Sequence, residues 1–371
     1  LTTQQLLNKH LYPKIGDNIT RHQFPLYSSQ TMLTGTRDYF FFNNPVTPFV
    51  TNKQLPITGS EIFFITAISA YPVLNHSTTA QIDALNELLQ QSFLEIMINN
   101  RLAAKLPGLD FINYQYANAT ADQVVVTALN TKIGGNRNTD GFLGRKITNM
   151  PLVMNSTSNF QFRLNTPGNA VYNNVVFKLV LHGLQLDKLS TFDWNEIGSV
   201  QNQLQQIPWT MWETVVIPNG NQTIFPILQN RQTAQNLFSG DTFPLSDITM
   251  FQAQNFEVFF NQPDVPINPA TIWNSRITNE LYMQIDDRVV YNGDLQNNLS
   301  LLAGFGQTLT TTPDLNVVNI FEKRQSRILD VPLDFPANSK VLIQLTQPGG
   351  SLGITGEFTV ALRGLMTRRV A

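Results

Sequence analysis

The residues best suited to chemistry are few: four histidines, one run of adjacent aspartates, a Gly-Phe-Gly and four tryptophans. His10, His22, His76 and His182 are never within metal-ligand spacing of one another. A metal site inside a β-barrel needs two or three converging ligands, so no metal is expected. His182 precedes Gly183 and aligns with Arg363 in a repeat described below, so a solvent-facing strand position is expected for both. Asp286-Asp287 precedes Arg288, and the matching run is Asn99-Asn100 before Arg101. Neighbours on a strand point to opposite faces, which a general acid/base pair cannot use. The other copy also dispenses with both charges, so a turn or an inter-subunit hydrogen bond is the better reading. Arg101 and Arg288 are then structural residues at strand ends. Gly304-Phe-Gly306 lacks the third glycine and the Lys-Ser/Thr of a phosphate loop. No Gly-x-Ser-x-Gly elbow occurs. Trp194, Trp209, Trp212 and Trp273 could stack on sugars, but three stand near the middle of the chain, where packing between domains is expected. No catalytic residue and no cofactor is expected.

The composition points the same way. The chain has 371 residues, room for two or three domains. Only 13% are charged, while the mean hydropathy is −0.11. Asn, Gln and Thr fill that gap. The 25 Phe, with 21 Gly and 20 Pro spread along the chain, suit short strands joined by polar loops around aromatic cores. A net charge of −2, with Arg368-Arg369 as the densest basic spot, is a poor surface for tracking phosphates. Direct sequence-specific nucleic-acid binding is not expected. There is no cysteine, which excludes disulfides, thiol nucleophiles and cysteine zinc sites, and fits assembly in a reducing cytoplasm. No apolar run reaches the ~18 residues of a membrane-spanning helix. The longest, from Ile62 to Leu74, reads as strand.

A duplication organises the elements. Pro151 to Leu184 matches Pro332 to Leu365 without a gap at an offset of 181. Pro151, Leu164, Pro167, Gly168, Phe177, Gly183 and Leu184 fall on Pro332, Leu345, Pro348, Gly349, Phe358, Gly364 and Leu365. Phe160, Phe162 and Leu164 alternate with polar residues, as do Val341, Ile343 and Leu345, so both read as half-buried strands. The Pro-Gly pair ends each in a turn. Val175, Phe177, Leu179 and Leu181 form the next strand of one copy; Phe358, Val360 and Leu362 form that of the other. Upstream, Leu94 to Arg101 resembles Leu281 to Arg288 at an offset of 187. A helical patch precedes each block: Ile82, Leu85, Leu88 and Leu89 in one, Asn268-Pro269 through Trp273 in the other. Further strands are expected at 23–27, 36–42 and 61–70, and at 213–217, 223–228, 247–251 and 256–260.

These patterns predict an all-β chain with a few short helices, built of two tandem eight-stranded Greek-key sandwiches of the jelly-roll type. The expected boundaries are an N-terminal arm or short helix over 1–16, a first jelly roll over 17–190, a linker over 191–210 and a second jelly roll over 211–371. Asp193 and Glu196 could open a helix in the linker, which Pro208 would stop.

Two fused jelly rolls with Asn/Gln/Thr-rich loops and the repeated Pro-Leu…Leu-x-x-Pro-Gly…Phe-x-x-x-Leu-x-Gly-Leu pattern resemble the double jelly-roll major capsid proteins of tailless icosahedral viruses. The Asn- and Phe-rich style is similar to that of lipid-containing bacteriophages. The resemblance covers nearly the whole chain. It implies a structural virion protein, not an enzyme, whose homotrimers form pseudo-hexagonal capsomers of an icosahedral shell assembled in the host cytoplasm. It also implies other capsid proteins as partners and, in members that have one, an internal viral membrane. Leu6, Leu7 and Leu11 would belong to the inward-facing arm. Loops of moderate length imply a compact capsomer with a modest tower. Two other readings stand beside it: a minor vertex, spike or head-fibre protein that binds a receptor, and a secreted tandem jelly-roll protein that binds or cleaves glycans.

Overall fold

Alternating apolar residues wrap two pairs of sheets around two cores in the computed structural model. The structure describes residues 20–23, 25–57, 61–72, 87–112, 132–133, 145–146, 152–154, 156, 159–168, 173–187, 204–217, 224–228, 248–261, 279–294, 299–301, 305–306, 327–336, 339–347 and 356–369.

The first half runs β1 (Thr20–Gln23), β2 (Leu26–Thr31), β3 (Asp38–Phe41), β4 (Ile62–Pro72), β5 (Phe93–Ile98), β6 (Arg101–Pro107), β7 (Lys132–Ile133), β8 (Arg145–Lys146), β9 (Leu152–Met154), β10 (Phe160–Asn165) and β11 (Val176–Asp187). The second runs β12 (Leu204–Ile217), β13 (Ile224–Ile227), β14 (Ile248–Asn261), β15 (Glu280–Ile285), β16 (Arg288–Asp294), β17 (Leu299–Leu301), β18 (Phe305–Gly306), β19 (Arg327–Pro336), β20 (Val341–Thr346) and β21 (Gly356–Arg369).

Pairing follows one scheme twice. In the first half one sheet has the order β2-β11-β4-β9 and the other β3-β10-β5-β6. In the second half the orders are β12-β21-β14-β19 and β13-β20-β15-β16. Each half thus puts its first, eighth, third and sixth major strands in one sheet and its second, seventh, fourth and fifth in the other. That is the strand order of a jelly roll. Each sandwich closes on its own apolar interior. Phe41, Phe162, Leu164, Phe177 and Leu179 are buried in the first core; Phe251, Met283, Ile343, Leu345 and Phe358 are buried in the second.

Fine structure is duplicated as well. His182 pairs with Ala67 but Gly183 with Ile65, a bulge in β4. Arg363 pairs with Asn255 but Gly364 with Ala253, the same bulge in β14. A Cβ on Gly364 would stand 1.8 Å from the carbonyl oxygen of Gln252, so this position requires glycine. The tips of the β5–β6 and β15–β16 hairpins also correspond. Asn99 and Asn100 have φ of 50° and 62°, and Asp286 has φ of 51°. Such left-handed turns suit Asn and Asp. Asn99 exchanges hydrogen bonds with the backbone of Asn159, N–H to O at 2.8 Å and Oδ1 from N–H at 2.8 Å. Asp286 makes the same exchange with Lys340, at 2.7 and 2.9 Å. Phe42 and Leu228 are both left-handed, and the N–H of each donates to a side chain of the first major strand, Ser28 and Glu213 respectively.

Two expectations need correction. Residues 204–210, assigned to a helical linker, are the start of β12, and Pro208 lies within that strand. Residues 191–203 lie outside the described residues. The strands expected at 247–251 and 256–260 are one, β14, whose bulges break the alternation. Asp286 and Asp287 occupy a hairpin turn, the placement that their sequence favours.

Candidate assembly interface

The two jelly rolls meet where the β6 edge of the first reaches the β12 edge of the second and the first roll packs on the outer face of β12 and β21. β6 ends the sheet β3-β10-β5-β6 and bridges β12 in parallel, Lys105 opposite Trp209. Alternation then sorts β12 and β21 into two faces. Met211, Phe358, Val360 and Leu362 enter the second core. Trp212 and Ala361, on the other face, are buried in the first core. Trp212 Nε1 donates to the carbonyl oxygen of Gln90 at 3.0 Å, and its ring lies 6.4 Å from that of Phe93. Gln90 Nε2 donates to Thr359 Oγ1 at 3.2 Å. In return Leu102 of β6 packs against the second core.

A buried ionic cluster lies at the same seam. A single helical turn, α1 (Gly108–Phe111), follows β6 and carries Asp110. Arg363 is only 2% exposed. Its Nε donates to Asp110 Oδ1 at 2.5 Å, and its Nη1 stands 3.0 Å from Glu257 Oε2. Thr210 Oγ1 donates to Asp110 Oδ2 at 2.7 Å. Removing one member of such a buried group leaves an uncompensated charge. Nearby, Lys105 Nζ lies 4.3 Å from the Phe93 ring centroid and 3.8 Å from Glu95 Oε1. Burial pulls the Lys105 ammonium below its usual value, and Glu95 offsets part of that. Glu95 also binds Arg163, and that hydrogen bond raises the Arg163 value.

Arg363 therefore contradicts the expectation of a solvent-facing residue. Its counterpart His182 is half-buried, with Nε2 2.7 Å from Ser69 Oγ. Strand register makes Ser69, opposite Val180, the counterpart of Glu257, opposite Ala361. One site thus holds an ion pair in the second jelly roll and a histidine–serine hydrogen bond in the first. Separation in sequence hid this cluster, since Asp110, Glu257 and Arg363 share no local pattern.

The other expected residues fall as follows. Leu164, Phe177, Leu345 and Phe358 are fully buried core residues. Gly168 lies three residues past β10 with φ of 75°, and its carbonyl accepts the Gly35 N–H at 3.1 Å. Gly183 and Gly364 sit at the bulges. Pro332 is exposed on β19, at the end of its sheet, where a missing N–H does no harm. Arg101 and Arg288 begin β6 and β16 and pair with Ile98 and Ile285. Trp209 and Trp212 pack the junction; Trp194 and Trp273 lie outside the described residues, as do Leu6, Leu7, Leu11, Pro151, Pro348, Gly349, Ile82, Leu85, His10, His76 and residues 268–273. Among the described residues no three His, Cys, Asp or Glu side chains gather to hold a metal. Exposed apolar side chains include Phe49 at 88% and Val46 at 60%, on one loop, and Val289 at 55% on β16.

No family model matches the chain, and no curated protein matches it. Solved structures do. One is the capsid of the PBCV-1 virus: 9% identity, 96% of each chain covered, TM-score 0.36. Another is the STIV MCP: 11% identity, 94% of this chain and 97% of that one, TM-score 0.37. A third is PBCV-1 VP54 fitted into a cryo-EM reconstruction of the virophage Sputnik: 8% identity, 97% of this chain and 96% of that one, TM-score 0.36. The jelly-roll assignment rests on this chain's own strand order.

Proposed function

We propose that the chain is a structural virion protein, the major capsid protein of an icosahedral shell, and that three copies form a pseudo-hexagonal capsomer. The observation that carries this reading is the junction. It joins the β5–β6 edge of one jelly roll to the β12 edge and the outer face of β12 and β21 of the next, and these are different surfaces. Heterologous contacts of this kind build rings when the rotation closes. The chain supplies one such contact internally; among the described residues it leaves the β16 edge unpaired and Pro25, Tyr27 and Lys178 of the β2-β11 face with access to solvent. Three chains with two rolls each give six similar walls, a unit that tiles a hexagonal lattice. A neutral polar surface with 13% charged residues limits the desolvation cost of many contacts.

The partners are further copies of the chain, other capsid proteins and an internal membrane where one is present. Assembly takes place in the host cytoplasm. On the resemblance, the segment with Leu6, Leu7 and Leu11 faces inward. Light scattering after gel filtration tests the reading. A trimer of the 41.8 kDa chain weighs about 125 kDa. That mass, or larger bodies built from it, is expected; a monomer at micromolar concentration overturns the capsomer.

A further inference from the structure

We infer that the junction inside the chain recurs between chains: the β15–β16 edge of the second jelly roll covers the outer face of β2-β11-β4 on another copy. This rests on the capsomer reading and adds which surfaces meet.

The duplication supplies the argument. Leu102 of β6 packs on the second core, while its counterpart Val289 of β16 is 55% exposed. β6 reaches across to β12, while β16 ends its sheet among the described residues. The receiving face shows the same contrast. Thr210 is fully buried, while its counterpart Pro25 is exposed. Trp212, opposite Ala361, is fully buried, while Tyr27, opposite Val180, is half-buried. On the receiving face Pro25, Tyr27, Lys178, Val180 and His182 keep access to solvent, while Ser69 of β4 is already buried within the chain.

Charge fits the two surfaces together. In the internal junction Phe93 lies against Trp212. The counterparts are Glu280 and Tyr27. Lys178 Nζ stands 4.1 Å from the Tyr27 ring centroid, so an incoming Glu280 meets an ammonium group. Lys178 is half-buried and Glu280 exposed. One difference follows from the backbone. Residues 50–52 already bond the edge of β2, with Ser29 N–H to Val50 O at 2.8 Å and Asn52 N–H to Tyr27 O at 3.1 Å. The contact in trans at that level is therefore made by side chains on the face, not by an added strand.

The chain has no cysteine, so introduced thiols are unique. Chains carrying Lys178→Cys and chains carrying Glu280→Cys, with different tags, are co-expressed, purified as mixed assemblies and treated with a short bismaleimide. A band at twice the chain mass is expected from the mixture and a several-fold weaker one from either variant alone. Equal bands, or none, in a preparation of trimer mass overturn the inference and leave the capsomer standing. A monomeric wild-type chain overturns both, and light scattering shows that before any cross-linker is added. A second variant reads the same contact through charge. Lys178→Glu is expected to shift the mass toward monomer, and Lys178→Glu with Glu280→Lys to restore it; a double variant no more associated than the single one overturns the pairing.

Discussion

The outer faces of the two jelly rolls have the same strands in the same order, yet opposite surroundings. On β12-β21-β14 the face is sealed: Thr210, Trp212, Glu257, Thr359, Ala361 and Arg363 are all buried. On β2-β11-β4 the counterparts of Thr210, Trp212 and Arg363, namely Pro25, Tyr27 and His182, keep access to solvent. The difference teaches how a duplicated domain divides labour. Where the neighbour is tethered, burial is certain, and a large aromatic with a buried ion pair can be kept. Where, in the capsomer proposed above, the neighbour arrives by diffusion, the face carries groups that remain soluble alone. A buried charge is tolerable only with its partner in place, so a permanent seam suits Arg363 better than an open face does.

The largest expected effects come from breaking the sealed face. Arg363→Ala leaves Asp110 and Glu257 facing each other without their cation, and should cost about 3–5 kcal/mol of stability. His182→Ala, at the corresponding site, loses one half-exposed hydrogen bond to Ser69, worth about 1 kcal/mol. Urea midpoints of the two variants measure the contrast; equal shifts would mean that the seam does not seal Arg363. Trp212→Ala should cost about 3–5 kcal/mol as a large-to-small change in a packed core. Tyr27→Ala should cost clearly less in the isolated chain. If capsomers form as proposed, Tyr27→Ala weakens association more than folding, and a concentration series of light scattering separates the two.

Those contrasts also mark what the sequence made legible. The jelly-roll pair was readable because alternation, Pro-Gly turns and the two offset blocks are local signals, repeated within one chain. Phe160, Phe162 and Leu164 are buried as their spacing predicts. The seam was not readable. Arg363 occupies a strand position like that of His182, and only the presence of another domain against it decides that it is buried. Asp110 and Glu257 lie far from it in sequence and carry no motif. Two strands were read where β14 is one, because the bulge between Ala253 and Asn255 shifts the alternation midway. Pro208 suggested a helix stop but sits in β12, opposite Leu365 of β21.

A smaller effect tests whether the hairpin tips are turns only. Asp286→Asn keeps the acceptor for the Lys340 N–H and the left-handed preference, so stability should change by less than about 0.5 kcal/mol. Asp286→Ala loses the acceptor and meets strain at φ of 51°, and should cost about 1–2 kcal/mol. Asn99→Ala should do the same in the first roll. A large loss with Asp286→Asn would show that the carboxylate charge itself matters, contrary to its neutral counterpart Asn99.

The last contrast is in pH. Lys105 is buried against Phe93 and Trp209 at the seam, while its counterpart Asn292 is exposed on β16. Burial lowers the folded-state value of Lys105 below its ordinary 10.5, with Glu95 opposing. Between the lowered value and 10.5 the unfolded chain holds more protons at this site than the folded one. Stability contributed by this group therefore rises with pH through that window, as the cost of burying an ammonium is relieved. The cost is fully present below the folded value. Lys105→Met removes the charge but keeps much of the stem that packs on the rings. Its stability, relative to wild type, should be highest below the folded value of Lys105 and fall toward the wild-type line as pH approaches 10.5. Asn292→Met should leave the profile parallel to wild type. Urea midpoints from pH 7 upward decide it. Parallel lines for Lys105→Met would mean that the ammonium is as well solvated at the seam as in the unfolded chain, and that the seam is open to water.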